Sequence, residues 1–464
     1  MQIYEFSAAF AYLCELKSDK LELRPSIPDE FIAQQTHIIG SENALRLAES
    51  LETVSPVSVR MNSAKPSSLF SEAEHVSWCS TGRYLGKRPE FTFNPLLHAG
   101  AFYVQEAASM FLEQAYNAFD EIPQRVLDLC AAPGGKSTLW RSLLPEGALL
   151  VANEPLRQRA MILAENLAKW GHADVVVTQA YPEEFAALRG FFDVIATDVP
   201  CSGEGMFRKD DDARRMWSMA NVAMCAERQR KILSDVWPAL RNGGWIVYST
   251  CTFNDEENEK NVQFICEGLG AEVVPLSIDP AWGIVDTPFG YHFYPHLTRS
   301  EGFFIALLRK TSPSGTQKMK IKHRPLVDFP KWLKNNDEFV GLRSCETLIT
   351  AVRKSIADDV LAVGQTVRCL SAGIAMAEEI KGKKTVPQHP LALALDFDEA
   401  VFPRVSLSLD EALSYLRRET LCLPADVPRG YVNVVYEDHS LGFVNNLGNR
   451  ANNMYPQEWR IRRK

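Results

Sequence analysis

Between Arg125 and Arg309 the chain alternates short apolar runs with longer amphipathic ones. Arg125–Cys130, Leu149–Glu154, Asp174–Thr178, Phe192–Asp198 and Trp245–Thr250 read as buried strands. Helices are expected near Ser137–Leu144, Leu156–Trp170 (closed by Gly171), Pro182–Leu188, Val222–Leu240 and Glu256–Gly268. Repeated βα units predict an α/β fold, a parallel sheet covered on both faces. Ala271–Pro275 and Phe303–Arg309 read as two final strands, joined by an irregular loop rich in Tyr, His and Phe.

Residues 1–98 read as a separate α+β unit. Met1–Lys20 is a helix or loose extension, and Ile27–Glu30 and Gly40–Asn43 each open a helix. Val57–Asn62 alternates like a strand. Arg60, Lys65, Arg83, Lys87 and Arg88 interleave with Trp78, Tyr84 and Phe91, a mixture that suits RNA contact or a solvated basic face. The main α/β domain is expected over 99–310, then a basic Ser/Gly/Pro-rich linker over 311–324 and a small mixed domain over 325–386. Residues 387–464 are β-rich, with a helix near Ser408–Arg418 and strands at Tyr431–Tyr436 and Leu441–Val444.

At 464 residues the chain has room for several domains. No apolar run reaches membrane-spanning length, and no secretory signal is evident. The 10 cysteines are scattered without a C-x-x-C pair, which argues against a zinc or redox motif and for a reducing, cytoplasmic compartment. His292 and His296 lack metal-site context, so no metal is expected. A net charge of -8 excludes a surface that is basic all over but leaves room for a local RNA groove.

The informative stretch is Val126–Thr138: strand, Gly-rich turn, helix start. Gly134-Gly135-Lys136-Ser137 lacks the first glycine of a P-loop, and G-x-G-x-x-G is absent. A looser nucleoside-binding turn remains, with Glu154 at the end of the next strand placed to hold a ribose. Cys201 and Cys251 also fall at strand ends, beside Asp198. A cysteine there is most often a small buried hydrophobe, which fits Cys130, Cys225 and Cys266. Two among polar turn residues suggest thiol chemistry. A thiolate that adds to carbon 6 of a pyrimidine makes carbon 5 nucleophilic enough for methylation, and a second cysteine can serve as base for release.

Leu127–Lys136, Asp198-Val199-Pro200-Cys201-Ser202-Gly203-Glu204-Gly205 and Ser249-Thr250-Cys251-Thr252 closely resemble the Sun-type RNA 5-methylcytosine methyltransferases. Gly205–Asp210 and Gly100–Met110 resemble the RsmF branch, and Leu441–Trp459 resembles its PUA-like RNA-binding domain. The resemblance implies a Rossmann-like domain and S-adenosylmethionine as cofactor. That cofactor would lie on Cys130, Ala131, Ala132, Pro133, Gly134, Gly135 and Lys136, with its ribose on Glu154 and Asp198 facing cofactor and base. Cys251 would be the nucleophile, Cys201 would assist release, Lys136 would position the reacting groups, and Arg159 and Asn166 match further family positions. The implied partner is small-subunit ribosomal RNA or the assembled 30S subunit, met by a monomer. Transfer RNA as substrate, a DNA cytosine methyltransferase with Cys201 as nucleophile, and a non-catalytic assembly factor are the alternatives. An acid that the family often carries after the third strand is missing from Gln179–Pro182.

Overall fold

The computed structural model describes residues 24–313, 315, 320–380 and 384–463; the expectation for Met1–Lys20 lies outside them. Ten strands form the central sheet: β1 (Arg125–Asp128), β2 (Leu149–Asn153), β3 (Val175–Thr178), β4 (Phe192–Asp198), β5 (Leu240–Thr250), β6 (Ala271–Val273), β7 (Val285–Thr287), β8 (Gly290–Phe293), β9 (Phe303–Lys310) and β10 (Cys369–Ala372). Their spatial order is β7-β8-β9-β5-β4-β1-β2-β3-β10, with β6 beside β9. The five central strands, β3-β2-β1-β4-β5, pair in parallel. Successive residues feed opposite faces: Val126 joins one apolar cluster and Leu127 the other. Helices α1 (Gly135–Leu143), α2 (Arg157–Trp170) and α3 (Met219–Val236) follow β1, β2 and β4.

The sheet is mixed rather than wholly parallel. β9 runs antiparallel to β5, and its far edge takes up β8 and β6. The stretch expected to be an irregular loop folds as the hairpin β7–β8, where the Thr287 hydroxyl donates to the Gly290 carbonyl and accepts the Phe289 and Gly290 amides. Strands of three and four residues are too short to show a period. His292 on β8 is buried and bonds Glu259 at 2.6 Å, so it is a packing residue. At the opposite edge β10 pairs antiparallel with β3. The 325–386 segment therefore contributes to the main sheet as well as to its own, which is built from Phe339–Arg343, Leu348–Arg353, Ile374–Ile380 and Lys384–Pro387.

In the N-terminal unit, helices Asp29–Ile39 and Ser41–Ser50 accompany a four-stranded antiparallel sheet. Its basic–aromatic mixture is largely internal. Arg60 is 0% exposed, bonds Gln105 and Thr138, and lies over the Trp170 ring at 4.5 Å. Lys65 donates to the Ala99 and Lys169 carbonyls. Trp78, Tyr84 and Phe91 are buried. Of that group Lys87 and Arg88 are exposed, with Arg83 half-buried. Guanidinium and ammonium groups here satisfy backbone and side-chain acceptors at a junction, where leaving those unpaired would be costly.

The C-terminal sheet joins Arg404–Ser406, Gly430–Tyr436, His439–Asn446 and Ala451–Asn453. Its hairpin turns on Glu437 and Asp438, both left-handed (φ 45 and 63), as the strand twist favours. Helix Leu409–Leu416 starts on a Ser408/Glu411 capping box. The unit is docked: Ala99 sits in its apolar cluster, Tyr455 bonds His98, and Lys169 lies over Trp459.

Candidate active site

β1 has β2 on one side and β4 on the other, so the order of the parallel strands reverses at β1. The loops after β1, β4 and β5 converge at that crevice, where open α/β sheets bind ligands. The first loop begins at Leu129, whose amide still bonds Ala196 of β4. It turns through a cis Ala132–Pro133 bond and a left-handed Gly134 (φ 116), then enters α1 with no side-chain cap. A β-carbon at Gly134 would be strained in that backbone and would meet Leu163 at 3.3 Å. Helix α2 pins the loop: Arg159 donates to the Ala132 carbonyl and Asn166 to the Pro133 carbonyl.

Three carboxylates stand at the carboxyl ends of the strands. Asp128 is 1% exposed and accepts the Ser137 hydroxyl at 2.6 Å; burial lifts its pKa to about 6. Glu154 is buried, accepts the Leu156 amide and pairs with Arg159 at 3.3 Å, and burial raises its pKa too. Asp198 is half-buried, held by Lys136 at 2.8 Å and by the Ser249 hydroxyl at 2.9 Å. Burial works against the Lys136 charge, but Asp198 by charge and hydrogen bond, followed by Cys251 and Asp128, outweighs it and raises the ammonium pKa. Lys136 also lies 5.0 Å from the Phe303 ring centre.

The sulfurs of Cys201 and Cys251 are 3.0 Å apart, and both residues are half-buried. Two thiols brought to this edge by separate strands are therefore neither sealed nor distant. The Cys201 pKa is held well above the ordinary thiol value, first by the hydrogen bond to the Cys251 sulfur and then by burial. Cys130 is also raised, by burial and by Glu154; its side chain packs against the second apolar cluster of the sheet. Cys225 is buried, as expected of a small hydrophobe, and Cys266 is half-buried against the same apolar cluster as Cys130.

Beneath the cysteines lies a polar network that the sequence reading did not single out. Glu204 accepts the Phe253 and Asn254 amides and the Trp217 indole. Asn254 Nδ2 donates to Glu204, Glu257 and Thr252, each at 2.9 Å, and Ser202 bonds Thr252 at 3.0 Å. Gly205 fits because its β-carbon would come within 2.8 Å of the Gly302 carbonyl and 3.0 Å of the Cys251 carbonyl. The only signal in the sequence is spacing: Glu204 follows Cys201 by three, and Asn254 and Glu257 follow Cys251 by three and six.

A Rossmann-like sheet with an uncapped helix start, carboxylates at strand ends and a cysteine pair defines an S-adenosylmethionine-dependent methyltransferase. Residues 27–107 match the N-terminal domain of 16S rRNA methyltransferase RsmF, residues 119–309 match 16S rRNA methyltransferase RsmB/F, and residues 402–461 match the methyltransferase RsmF PUA domain. The chain is 32% identical to ribosomal RNA small subunit methyltransferase F of Enterobacter sp. (strain 638), across 93% of this chain and 95% of that one. Identity with the same-named protein of Erwinia tasmaniensis is 31%, covering 82% and 84%. Among solved structures, a methyltransferase homolog protein from Pyrococcus horikoshii aligns at 28% identity and TM-score 0.52, over 60% of this chain and 93% of that one. The protein belongs to the 16S rRNA methyltransferase RsmB/F family, in its RsmF branch.

Proposed function

We propose that the protein methylates carbon 5 of a cytidine in small-subunit ribosomal RNA, with Cys251 as covalent nucleophile and Cys201 as the base of the release step. The observation that carries this is the 3.0 Å approach of two partly accessible sulfurs at the switch in strand order. The ribosomal substrate follows the names of the relatives.

The residues present suit the cofactor. Its carboxylate matches the uncapped start of α1, its hydroxyls and cationic groups match Glu154, Asp128 and Asp198, and Gly134 leaves no side chain in the way. S-adenosylmethionine, when bound, supplies a methyl group on a positively charged sulfur. The loop from Cys130 to Lys136 would cradle it, and Arg159 and Asn166 hold the loop's carbonyls.

The protein's own steps follow from the pair of sulfurs. The Lys136 ammonium and Cys251 interact electrostatically. As thiolate, Cys251 adds to carbon 6 of the base, which makes carbon 5 nucleophilic. The new carbon–sulfur bond neutralises Cys251, and this removes the first cause of the raised Cys201 pKa. Cys201 then gives up its proton to solvent and takes the proton of carbon 5. The carbon 5 electron pair restores the double bond, and Cys251 leaves as thiolate. One proton is released per methyl transferred, as the overall reaction requires. Asp198, fixed by Lys136 and Ser249, faces the base, which leaves any helix it occupies. We assign the work to a monomer in the cytoplasm, acting on rRNA or the 30S subunit.

The test is transfer of labelled methyl to small-subunit RNA by two variants. Cys251→Ala abolishes transfer, and Cys201→Ala traps a covalent enzyme–RNA adduct on a denaturing gel. Transfer surviving in Cys251→Ala, with no adduct in Cys201→Ala, overturns the assignment in favour of Cys201 as nucleophile. Transfer to transfer RNA alone, or to no RNA, favours the other two alternatives.

A further inference from the structure

The release step needs the Cys201 sulfur to be held at one place in a turn, where backbone is otherwise soft. Two buried side chains grip the peptide units on either side of it. Gln229 of α3 donates from Nε2 to the Pro200 carbonyl at 3.0 Å. Glu257 accepts the Ser202 amide, at 3.0 and 3.3 Å to its two oxygens. Gln229 also donates to Glu257 at 2.7 Å, so amide and carboxylate form one unit, and both are 0% exposed. The peptide bond before Cys201 and the one after it are thus tied to the same pair.

This pair has little freedom to rearrange. Every side-chain and backbone partner of the Glu257 carboxylate is a donor: Ser202 N–H, Gln229 Nε2 and Asn254 Nδ2. The amides cannot turn round to compensate. Gln229 Oε1 already accepts the Tyr248 hydroxyl at 3.0 Å and Asn261 at 2.6 Å, and Asn254 Oδ1 accepts the Glu257 amide at 2.9 Å. A glutamine at 257 would set an amide N–H₂ against a donor.

We propose that Glu257 and Gln229 act as positioning residues that clamp the Cys201 backbone for the release step. This rests on the reading of Cys201 as the base of that step. There the C5–H bond breaks, the proton passes to the Cys201 sulfur, the electron pair closes the C5–C6 double bond, and the C6–S bond breaks with its pair returning to Cys251. Attack by Cys251 comes earlier and does not use the pair's grip on the Pro200 carbonyl and Ser202 amide. Cys251 is carried by the end of β5, a central strand with partners on both sides.

Full-length Glu257→Gln and Gln229→Leu are compared with the unaltered protein on small-subunit rRNA transcribed with cytidine or with 5-fluorocytidine. Fluorine cannot leave carbon 5 as a proton would, so with S-adenosylmethionine present the fluorinated RNA traps every enzyme that attacks and methylates, and the adduct reports the steps before release. Both variants are expected to form the fluorinated adduct to within about twofold of normal. On cytidine RNA their turnover falls about 10- to 100-fold, the scale of a buried hydrogen-bonding group left unpaired, and uncleaved adduct accumulates. Loss of turnover without adduct, loss of the fluorinated adduct, or unchanged turnover overturns the clamp. Cys201→Ala run alongside separates the two ideas: if it too accumulates no adduct, it is the role of Cys201 as base that fails.

Discussion

Phe31→Ala should disable catalysis from a position that touches neither substrate. Phe31 is 0% exposed on helix Asp29–Ile39. Its ring meets Phe207 edge-on at 5.2 Å, Trp217 at 5.8 Å and Phe253 at 6.3 Å. Phe207 follows Cys201 by six residues and Phe253 follows Cys251 by two, so one ring braces both cysteine loops. Truncating a buried phenylalanine costs about 3–5 kcal/mol. The three aromatic pairs represent about 1.5–4.5 kcal/mol of that, at about 0.5–1.5 each. That share falls on the loops and corresponds to at least about tenfold in the population of the competent geometry. The helical hairpin stays attached, because Arg208 still bonds the Ser50 carbonyl and Arg214 the Leu51 carbonyl. The assay pairs labelled-methyl transfer with calorimetric titration of S-adenosylmethionine. Transfer is expected to fall at least tenfold while cofactor affinity holds, since the Cys130–Lys136 loop and Glu154 do not touch Phe31. Transfer within about twofold of normal, or cofactor affinity lost in parallel, refutes the reasoning.

Gly205→Ala should push the Gly302 and Cys251 carbonyls from contacts of 2.8 and 3.0 Å, destabilising the fold by about 1–3 kcal/mol; a thermal melt unchanged from normal would contradict this. Asp128→Asn should raise stability at pH 8 and leave it unchanged near pH 3. The folded carboxyl titrates near 6, above its unfolded value, so ionisation penalises the folded state increasingly from the unfolded pKa up to about pH 6 and fully above it, by about 3 kcal/mol. Asparagine removes that penalty and still accepts from Ser137, and melts at the two pH values check the difference. Replacing the exposed Arg460, Arg462 and Arg463 together with alanine should weaken RNA binding across sequences and flatten its salt dependence by up to about two units of log–log slope. Filter binding at several salt concentrations measures this, and an unchanged slope would remove the tail from the RNA surface. A deletion of the whole C-terminal unit would confound this test, because it also strips Leu395 from Gly171, Trp459 from Lys169 and Tyr455 from His98.

What the linear chain determined was everything local. Apolar runs set four of the five parallel strands to within two residues, and the carboxyl end of the fifth, which begins at Leu240 rather than Trp245, because a strand buried on both faces is mostly apolar. The Gly134–Lys136 turn, Glu154 and the two cysteines were legible because each lies on the loop that follows such a strand, and strand ends are where this architecture builds sites. Tertiary structure decided what depends on partners remote in sequence. Residues 369–372 joined the main sheet, and Arg60 and Lys65 proved to be internal struts, although their local sequence reads as a basic surface. The 3.0 Å meeting of two sulfurs 50 residues apart, and the Gln229–Glu257 grip beneath them, belong to the same class. Burial and hydrogen-bond satisfaction are properties of the packed chain, and no window of sequence contains both halves of a long-range contact.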